Sequence, residues 1–415
     1  MSELSNLRVN GQRLWGALME MAKIGATPKG GCKRLALTDV DQQGRELFRA
    51  WCEKEGCSVK VDEMGAMFAR RAGVEDDLAP VIVGSHLDTQ PTGGKFDGAL
   101  GVLGGLEIVR SLNDLKIKTR RPIEVVNWTN EEGSRFAPGM IASGVFAGVY
   151  AKEFAYSRRD GEGKRLGDEL ERIGFKGSEP AGGRPVHAYF ELHIEQGPIL
   201  EDEAVDVGVV THAQGQRWYE IRLTGFASHA GSTPMPRRKD ALLGAARIVE
   251  LVNAIGLSKA PLGIATVGML DAYPNSRNVI PGEVCMACEF RHPIDAALSE
   301  MDAALREGVE AIAERIGLTY DLKQVFYYAP VAFDEECVGA VRRAAQRFGY
   351  SHRDIVSGAG HDACCIARVA PASMVFTPCV DGVSHNESED IKPEWSTAGA
   401  NVLMHAALEK AEVAA

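Results

Sequence analysis

The sequence predicts an α/β protein: a mostly parallel sheet flanked by helices, interrupted by an inserted α+β unit. Three observations carry that expectation. Short apolar runs rich in Val and Ile alternate with helical segments at both ends of the chain. Those runs end in small and polar residues, as buried parallel strands do where they feed loops. Near residue 213 the pattern changes to alternating strands with two long helices among them. The expected division is residues 1–213 with 329–415 in one domain and 214–328 in the insert. With 415 residues, 45% hydrophobic and 25% charged, the chain has the composition of a folded enzyme-sized protein. That excludes a disordered chain or a small disulfide framework.

The elements follow in order. Residues 7–25 place Leu7, Val9, Leu14, Leu18, Met21 and Ile24 close to helical spacing. Residues 37–56 read as a helix opened by Thr38 and closed at Gly56, with Ala50, Trp51 and Cys52 in its apolar face. CSVKVDEMGAMFARRAG (57–73) alternates like strands. APVIVGSHLD (79–88) is a buried strand, residues 99–115 the following helix, and RPIEVVNWTNEE (121–132) a second strand ending in carboxylates. The insert carries QRWYEIRLTGFASHAG, GIATVGMLDAY and GEVCMACEFRH as strands, with helices over 238–255 and 296–317. Helix–strand alternation then returns through ECVGAVRRAAQRFG, the turn SGAGHDA and PASMVFTPC.

Charge narrows the partners. Lys and Arg total 46 and Asp and Glu 57, a net charge of −11. Duplex nucleic acid and anionic membranes both need basic footprints, so neither is expected as a partner. The nine cysteines are scattered, and the opening residues lack a charged-then-apolar leader pattern. The expectation is a cytoplasmic protein with reduced thiols.

Five chemistry-bearing groups fall beyond strand ends, where α/β sheets expose ligands. His86 and Asp88 lie in GSHLDT, and Asp97 follows on the glycine-rich loop GGKFDG. Glu131 and Glu132 close a strand in TNEEG. His193 lies in YFELHIEQGP, which alternates like a strand, and His385 in DGVSHNESE. Imidazoles and carboxylates without thiolates suit zinc, manganese or cobalt in a hydrolytic site. Spacing alone leaves solvated loop residues as an equal reading.

Together, GSHLDT, GGKFDG, NEEG, ELHIEQGP, SGAGHDA and DGVSHN resemble the M20-type metallohydrolases, and within them the hydantoinase/carbamoylase amidases. That group includes N-carbamoyl-L-amino acid amidohydrolases, β-ureidopropionases and allantoate amidohydrolases. The resemblance spans nearly the whole chain and implies a metallohydrolase catalytic domain with an inserted lid that also dimerises. It implies two divalent ions per chain (zinc, manganese, cobalt or nickel). His86, Asp97 and His193 would hold one; Asp97, Glu132 and His385 would hold the other, with Asp97 shared. Two cations about 3.5–4 Å apart need a common anion between them. Asp88 would orient the His86 ring through its free nitrogen. Glu131 would be the general base, on a bend that Gly133 permits. Gln196, His229, Asn278, Arg291 and the backbone of Gly360 would contact the substrate. His229 would donate to the developing oxyanion, and Arg291 would fork onto a carboxylate. The implied activity is hydrolysis of the C–N bond of an N-carbamoyl amino acid to amino acid, CO2 and ammonia by a homodimer. Allantoate is the alternative substrate, and an aminoacylase or dipeptidase activity is disfavoured by His193 and Arg291.

Bland readings stand beside these roles. Arg291 in CEFRHP could be a strand-edge ion pair, and His229 and Asn278 could be turn residues. His361 and Asp362 read as loop supports. Cys285 and Cys288 face opposite sides of a strand, which argues against a metal knuckle. Cys364 and Cys365 read as packing. Ala66, in DEMGAMFAR, stands where the resembling sequences carry Asn, which predicts a lost turn hydrogen bond.

Overall fold

The computed structural model describes residues 6–414; the part of the leader reading that falls on residues 1–5 lies outside them. The chain forms two compact units, Met1–Thr211 with Phe333–Ala415, and His212–Ala332.

The first unit begins with α1 (Gly11–Met21), α2 (Asp39–Lys54), β1 (Ser58–Val61), β2 (Met67–Arg71) and β3 (Val81–His86). It continues through α3 (Ala99–Asp114), β4 (Ile123–Trp128), α4 (Ile141–Phe146), α5 (Lys152–Ser157) and α6 (Leu166–Arg172). β5 (Ala188–Ile194), α7 (Ile199–Asp202) and β6 (Val207–Ala213) lead out of it. The second unit contains β7 (Gly215–Thr224), β8 (Ser228–His229), α8 (Ala241–Ser258), β9 (Ile264–Tyr273) and β10 (Val279–Ile280). It closes with β11 (Glu283–His292), α9 (Asp295–Ile316), β12 (Thr319–Tyr328) and β13 (Val331–Ala332). α10 (Glu335–Phe348), β14 (His352–Ser357), α11 (Asp362–Ile366), β15 (Ala372–Thr377) and α12 (Pro393–Ala411) complete the first unit.

The large sheet runs β1-β2-β4-β3-β5-β15-β6-β13, with β14 also on β6. Its centre is parallel: β4 with β3, β3 with β5, and β5 with β15. β3, β4, β5 and β15 are buried along their whole lengths, as strands covered on both faces must be. This revises the alternation read in YFELHIEQGP. Leu192 packs under Gly104 and Gly399 of the covering helices α3 and α12. Glu191 points the other way, to the start of α11. Both faces are interior, so the polar residues are buried too.

α2 differs from its expected face. Thr38 caps it as predicted, accepting from the Asp41 amide. Ala50 is exposed and Trp51 half-buried, whereas Asp41, Gly44, Arg45, Phe48 and Cys52 are buried. An ion pair, Arg45 Nε to Asp41 Oδ2 at 2.7 Å, occupies that interior stripe. A hydropathy pattern misses a stripe built from charges that neutralise each other. Ala66 leaves the turn intact. Asp62 Oδ1 accepts from the amides of Met64 and Ala66, which closes the turn without an Asn side chain.

In the second unit the sheet order is β12-β7-β11-β9, all antiparallel. One face packs on α8 and α9: Tyr219, Ile221, Leu223, Met286 and Phe290 meet Ile248, Val252, Leu305 and Val309. The other face carries Gln216, Trp218, Glu220, Glu289 and Arg291. Ala241–Ser258 is long and apolar enough to cross a membrane by length and composition; here it contributes to this core. Cys288 is buried and Cys285 half-buried, and all nine cysteines are free thiols.

Candidate active site

β3 ends at His86 and β5 carries His193. The His86 Nδ1 lies 2.8 Å from the Asp88 carbonyl oxygen, and the His193 Nδ1 lies 2.9 Å from the Ile194 carbonyl oxygen. A carbonyl only accepts, so each Nδ1 carries the hydrogen and each neutral ring presents its Nε2 lone pair. Both lone pairs aim at one atom: Asp97 Oδ1 is 3.5 Å from His86 Nε2 and 3.2 Å from His193 Nε2. The other Asp97 oxygen, Oδ2, is 3.5 Å from His385 Nε2, which is 3.5 Å from Glu132 Oε2. The donor atoms of His86, Asp97 and His193, and those of Asp97, Glu132 and His385, each lie within 4.8 Å of one another. Lone pairs converging on a carboxylate repel unless a positive charge sits among them. The donor set therefore fits divalent ions that accept nitrogen and oxygen ligands.

The loop carrying Asp97 comes this close because of glycine. Gly98 has φ +63°, and a Cβ there would fall 2.4 Å from the His86 ring. Burial opposes ionisation of Asp97; with no ion between them, His193 and His86 would take up protons and hold its carboxyl well below the ordinary range.

Glu131 and Glu132 lie past the end of β4, on a bend with φ +58° at Asn130 and +66° at Gly133. The bend turns two adjacent side chains into one cavity. Glu131 Oε2 reaches 3.4 Å from His86 Nε2, and Glu132 Oε2 accepts from Gln90 Nε2 at 2.6 Å. Burial drives the Glu131 carboxyl well above its usual range; Asp362, Glu132 and Asp88 add to this and His86 opposes it.

Asp88 does a different job from the one expected. Its carboxylate is 4.0 Å from His86 Nδ1, and its main-chain carbonyl takes the ring N–H instead. Its two side-chain oxygens accept from the Glu131 and Glu132 amides at 3.2 and 3.3 Å. Two backbone donors on a tight bend engage the carboxylate, so Asp88 shapes the glutamate pair directly and His86 through its backbone.

Gln196 reaches the same cluster. Its Nε2 is 2.8 Å from Asp97 Oδ2 and 3.2 Å from His385 Nε2, so it is turned onto the ligand cluster. Its Oε1 is buried and meets no partner. Gly360 is exposed in the loop between β14 and α11. The His361 ring lies 4.4 Å from the His193 ring, tilted by 57°, and meets Ser357 Oγ through Nε2. The Ser143 hydroxyl donates to Asp362. Both residues support the loop.

Two buried carboxyls and the half-buried Ser384 have no counterpart in the sequence reading. Glu191 accepts from Ser85 Oγ, Tyr189 Oη and the Ala363 amide. Ser384 Oγ donates to Asp97 Oδ2 at 2.9 Å. Glu389 accepts from the Phe96 and Asp97 amides. The available signal was proximity in DGVSHNESE, where Ser384 and Glu389 flank His385.

In the second unit, β8 pairs with β10 so that His229 faces Val279, and the Ala230 amide donates to the Asn278 carbonyl. His229 and Asn278 are thus neighbours. His229 Nδ1 accepts from the Gly231 and Ser232 amides at 3.0 and 3.1 Å, leaving an Nε2–H donor in the neutral ring. Arg291 lies on β11 and pairs with Glu289 at 3.1 Å.

This fold and donor set define a class of metal-dependent hydrolases: the chain belongs to peptidase family M20/M25/M40, whose model matches residues 82–409. Within that family its relatives are more specific. It is 56% identical to an N-carbamoyl-L-amino-acid amidohydrolase of Rhizobium meliloti, over 98% of each chain. It is 35% identical to an allantoate amidohydrolase of Bacillus subtilis, over 89% of this chain and 90% of that one. A crystal structure of a hydantoinase/carbamoylase family amidase from Burkholderia multivorans matches with a TM-score of 0.95 and 67% identity, over 98% of both chains.

Proposed function

We propose that the protein is an amidohydrolase that cleaves the C–N bond of N-carbamoyl-L-amino acids, with two divalent ions held around Asp97. One observation carries the reading: each Asp97 oxygen faces a separate set of ligand atoms, with Glu131 alongside. The substrate class rests on the 56% identical relative, with allantoate as the second reading from the 35% identical one. The resemblance adds a homodimer, and the scattered reduced cysteines a cytoplasmic location.

His86, Asp97, His193, Glu132 and His385 would hold the ions. Bound divalent ions supply Lewis acidity and lower the pKa of water towards about 7. The protein supplies the rest. Glu131 Oε2, beside His86 and ligating nothing, takes a proton from the attacking water and returns it to the leaving nitrogen. Water adds across the ureido carbon, so one ureido acid and one water give one amino acid, one CO2 and one ammonia. His229, through its Nε2–H, is assigned to the carbonyl oxygen. Arg291 is assigned to the substrate carboxylate, and Asn278, Gln196 and the Gly360 backbone to its polar edge.

Ammonia release from a panel of N-carbamoyl-L-amino acids, 3-ureidopropionate and allantoate tests the assignment, before and after chelation. Turnover of N-carbamoyl-L-amino acids that chelator abolishes and metal restores is expected. Preference for allantoate would select the second reading, and inertness towards the whole panel would reject both.

A further inference from the structure

One buried carboxyl of the first unit has no part in the chemistry above. Glu389 is 1% exposed, and no lysine or arginine pairs with it among the described residues. A buried acid without a cation is costly unless hydrogen bonds engage it. Here the Phe96 and Asp97 amides donate to its Oε1 at 3.0 and 3.1 Å, and its Oε2 lies 3.1 Å from Ser384 Oγ. The same Ser384 hydroxyl donates to Asp97 Oδ2. Glu389 therefore holds Asp97 by its backbone, and its Oε2 and Asp97 Oδ2 face the one proton of the Ser384 hydroxyl from either side.

Two further features fit. A Cβ on Gly94 would fall 2.0 Å from the Glu389 carboxyl, so the second glycine of GGKFDG makes room for it. Glu389 is also four residues past His385 on one loop. That loop delivers a ligand to the second ion set and, from Glu389, the clamp on the carboxylate both sets share.

We propose that Glu389 is a positioning residue that fixes Asp97 between the two ion sets and couples the placement of Asp97 to that of His385. The proposal rests on the two-ion reading. Glutamine at 389 keeps an acceptor oxygen for both amides and turns an NH2 donor towards Ser384 Oγ. Alanine keeps neither, and aspartate is one methylene too short to span both partners.

The test is calorimetric titration of metal-stripped protein with Mn2+, alongside apo-protein melting and steady-state kinetics. Glu389→Ala should lower Mn2+ affinity about 10–100-fold, the range for removing a group that orients a ligand. Its apo melting temperature should shift little, and kcat should fall more than KM rises. Glu389→Gln should restore binding. Gly94→Ala should reproduce the loss in the wild-type background and cost less in Glu389→Ala, where the obstructing carboxyl is gone. Should Glu389→Ala fail to fold, Glu389→Asp against Glu389→Gln makes the same comparison. Wild-type affinity in Glu389→Ala, or in Glu389→Asp where only that variant folds, overturns the proposal. A wild-type protein that takes up no Mn2+ or Zn2+ overturns the two-ion reading, and the proposal with it.

Discussion

At the residue scale, the division of labour between Glu131 and Glu132 is the sharpest claim. They are neighbours in sequence and their amides share the Asp88 carboxylate, yet only Glu132 belongs to a ligand set. Glu131→Gln is expected to retain metal, read by elemental analysis, while kcat falls by about 10²–10⁴-fold, the usual worth of a positioned general base. Loss of metal together with activity would make Glu131 a ligand. Arg291 is exposed to a simpler test. Lysine keeps the charge but loses the planar fork, so Arg291→Lys should raise KM for N-carbamoyl amino acids with a smaller change in kcat. Unchanged kinetics would leave Arg291 as the partner of Glu289 alone. The residues that converge here were legible from short motifs, because His86 and His193 lie in strands and Asp97, Glu132 and His385 lie on the loops that follow strands. Their supports were not. Asp88 was assigned to the His86 ring, but the backbone bend claims its carboxylate, and which donor reaches an acceptor first is fixed by loop geometry that spacing does not encode.

Elements place these residues by burial. β3, β4, β5 and β15 are covered on both sides, and their ends carry the site. Short apolar runs made β3 and β4 easy to read. α2 shows where that reading stops: Asp41 and Arg45 replace the apolar stripe, and the Arg45 guanidinium also donates to the Gly65 carbonyl and Thr129 Oγ1. Removing one partner leaves a buried charge alone. Arg45→Ala should therefore cost about 3–5 kcal/mol of unfolding free energy, measured by urea denaturation of the metal-free protein. A loss below about 1 kcal/mol, the worth of an exposed pair, would place this pair in water rather than in the interior. The short helices α4, α5 and α6 gave no periodic signal because each spans fewer than eight residues.

The whole molecule brings the chain's two ends together around His405. Its Nε2 donates to the Leu7 carbonyl and its Nδ1 accepts from Arg347. Burial lowers its pKa to about 4 from an ordinary 6.5, with Arg347 and Arg8 adding and the Leu7 carbonyl opposing. The unfolded chain therefore binds this proton first. The contribution of His405 is intact above about 6.5 and is lost as pH falls towards 4. The stability gap between wild type and His405→Gln should narrow across that interval in denaturation series at each pH; a constant gap would mean that His405 does not titrate there. The topology was legible as helix–strand alternation broken by an antiparallel insert, because period 2 and buried apolar runs differ visibly in sequence. Strand order was not, because nothing local specifies that β15 lies beside β5.

The central claim is a pair of ions sharing Asp97, and crystals grown with Mn2+ examine it most directly through an anomalous difference map. The account predicts two peaks about 3.5–4 Å apart, one among His86, His193 and Asp97 Oδ1 and the other among Glu132, His385 and Asp97 Oδ2. A single peak away from Asp97, or none at all in protein that turns over its substrate, would contradict it.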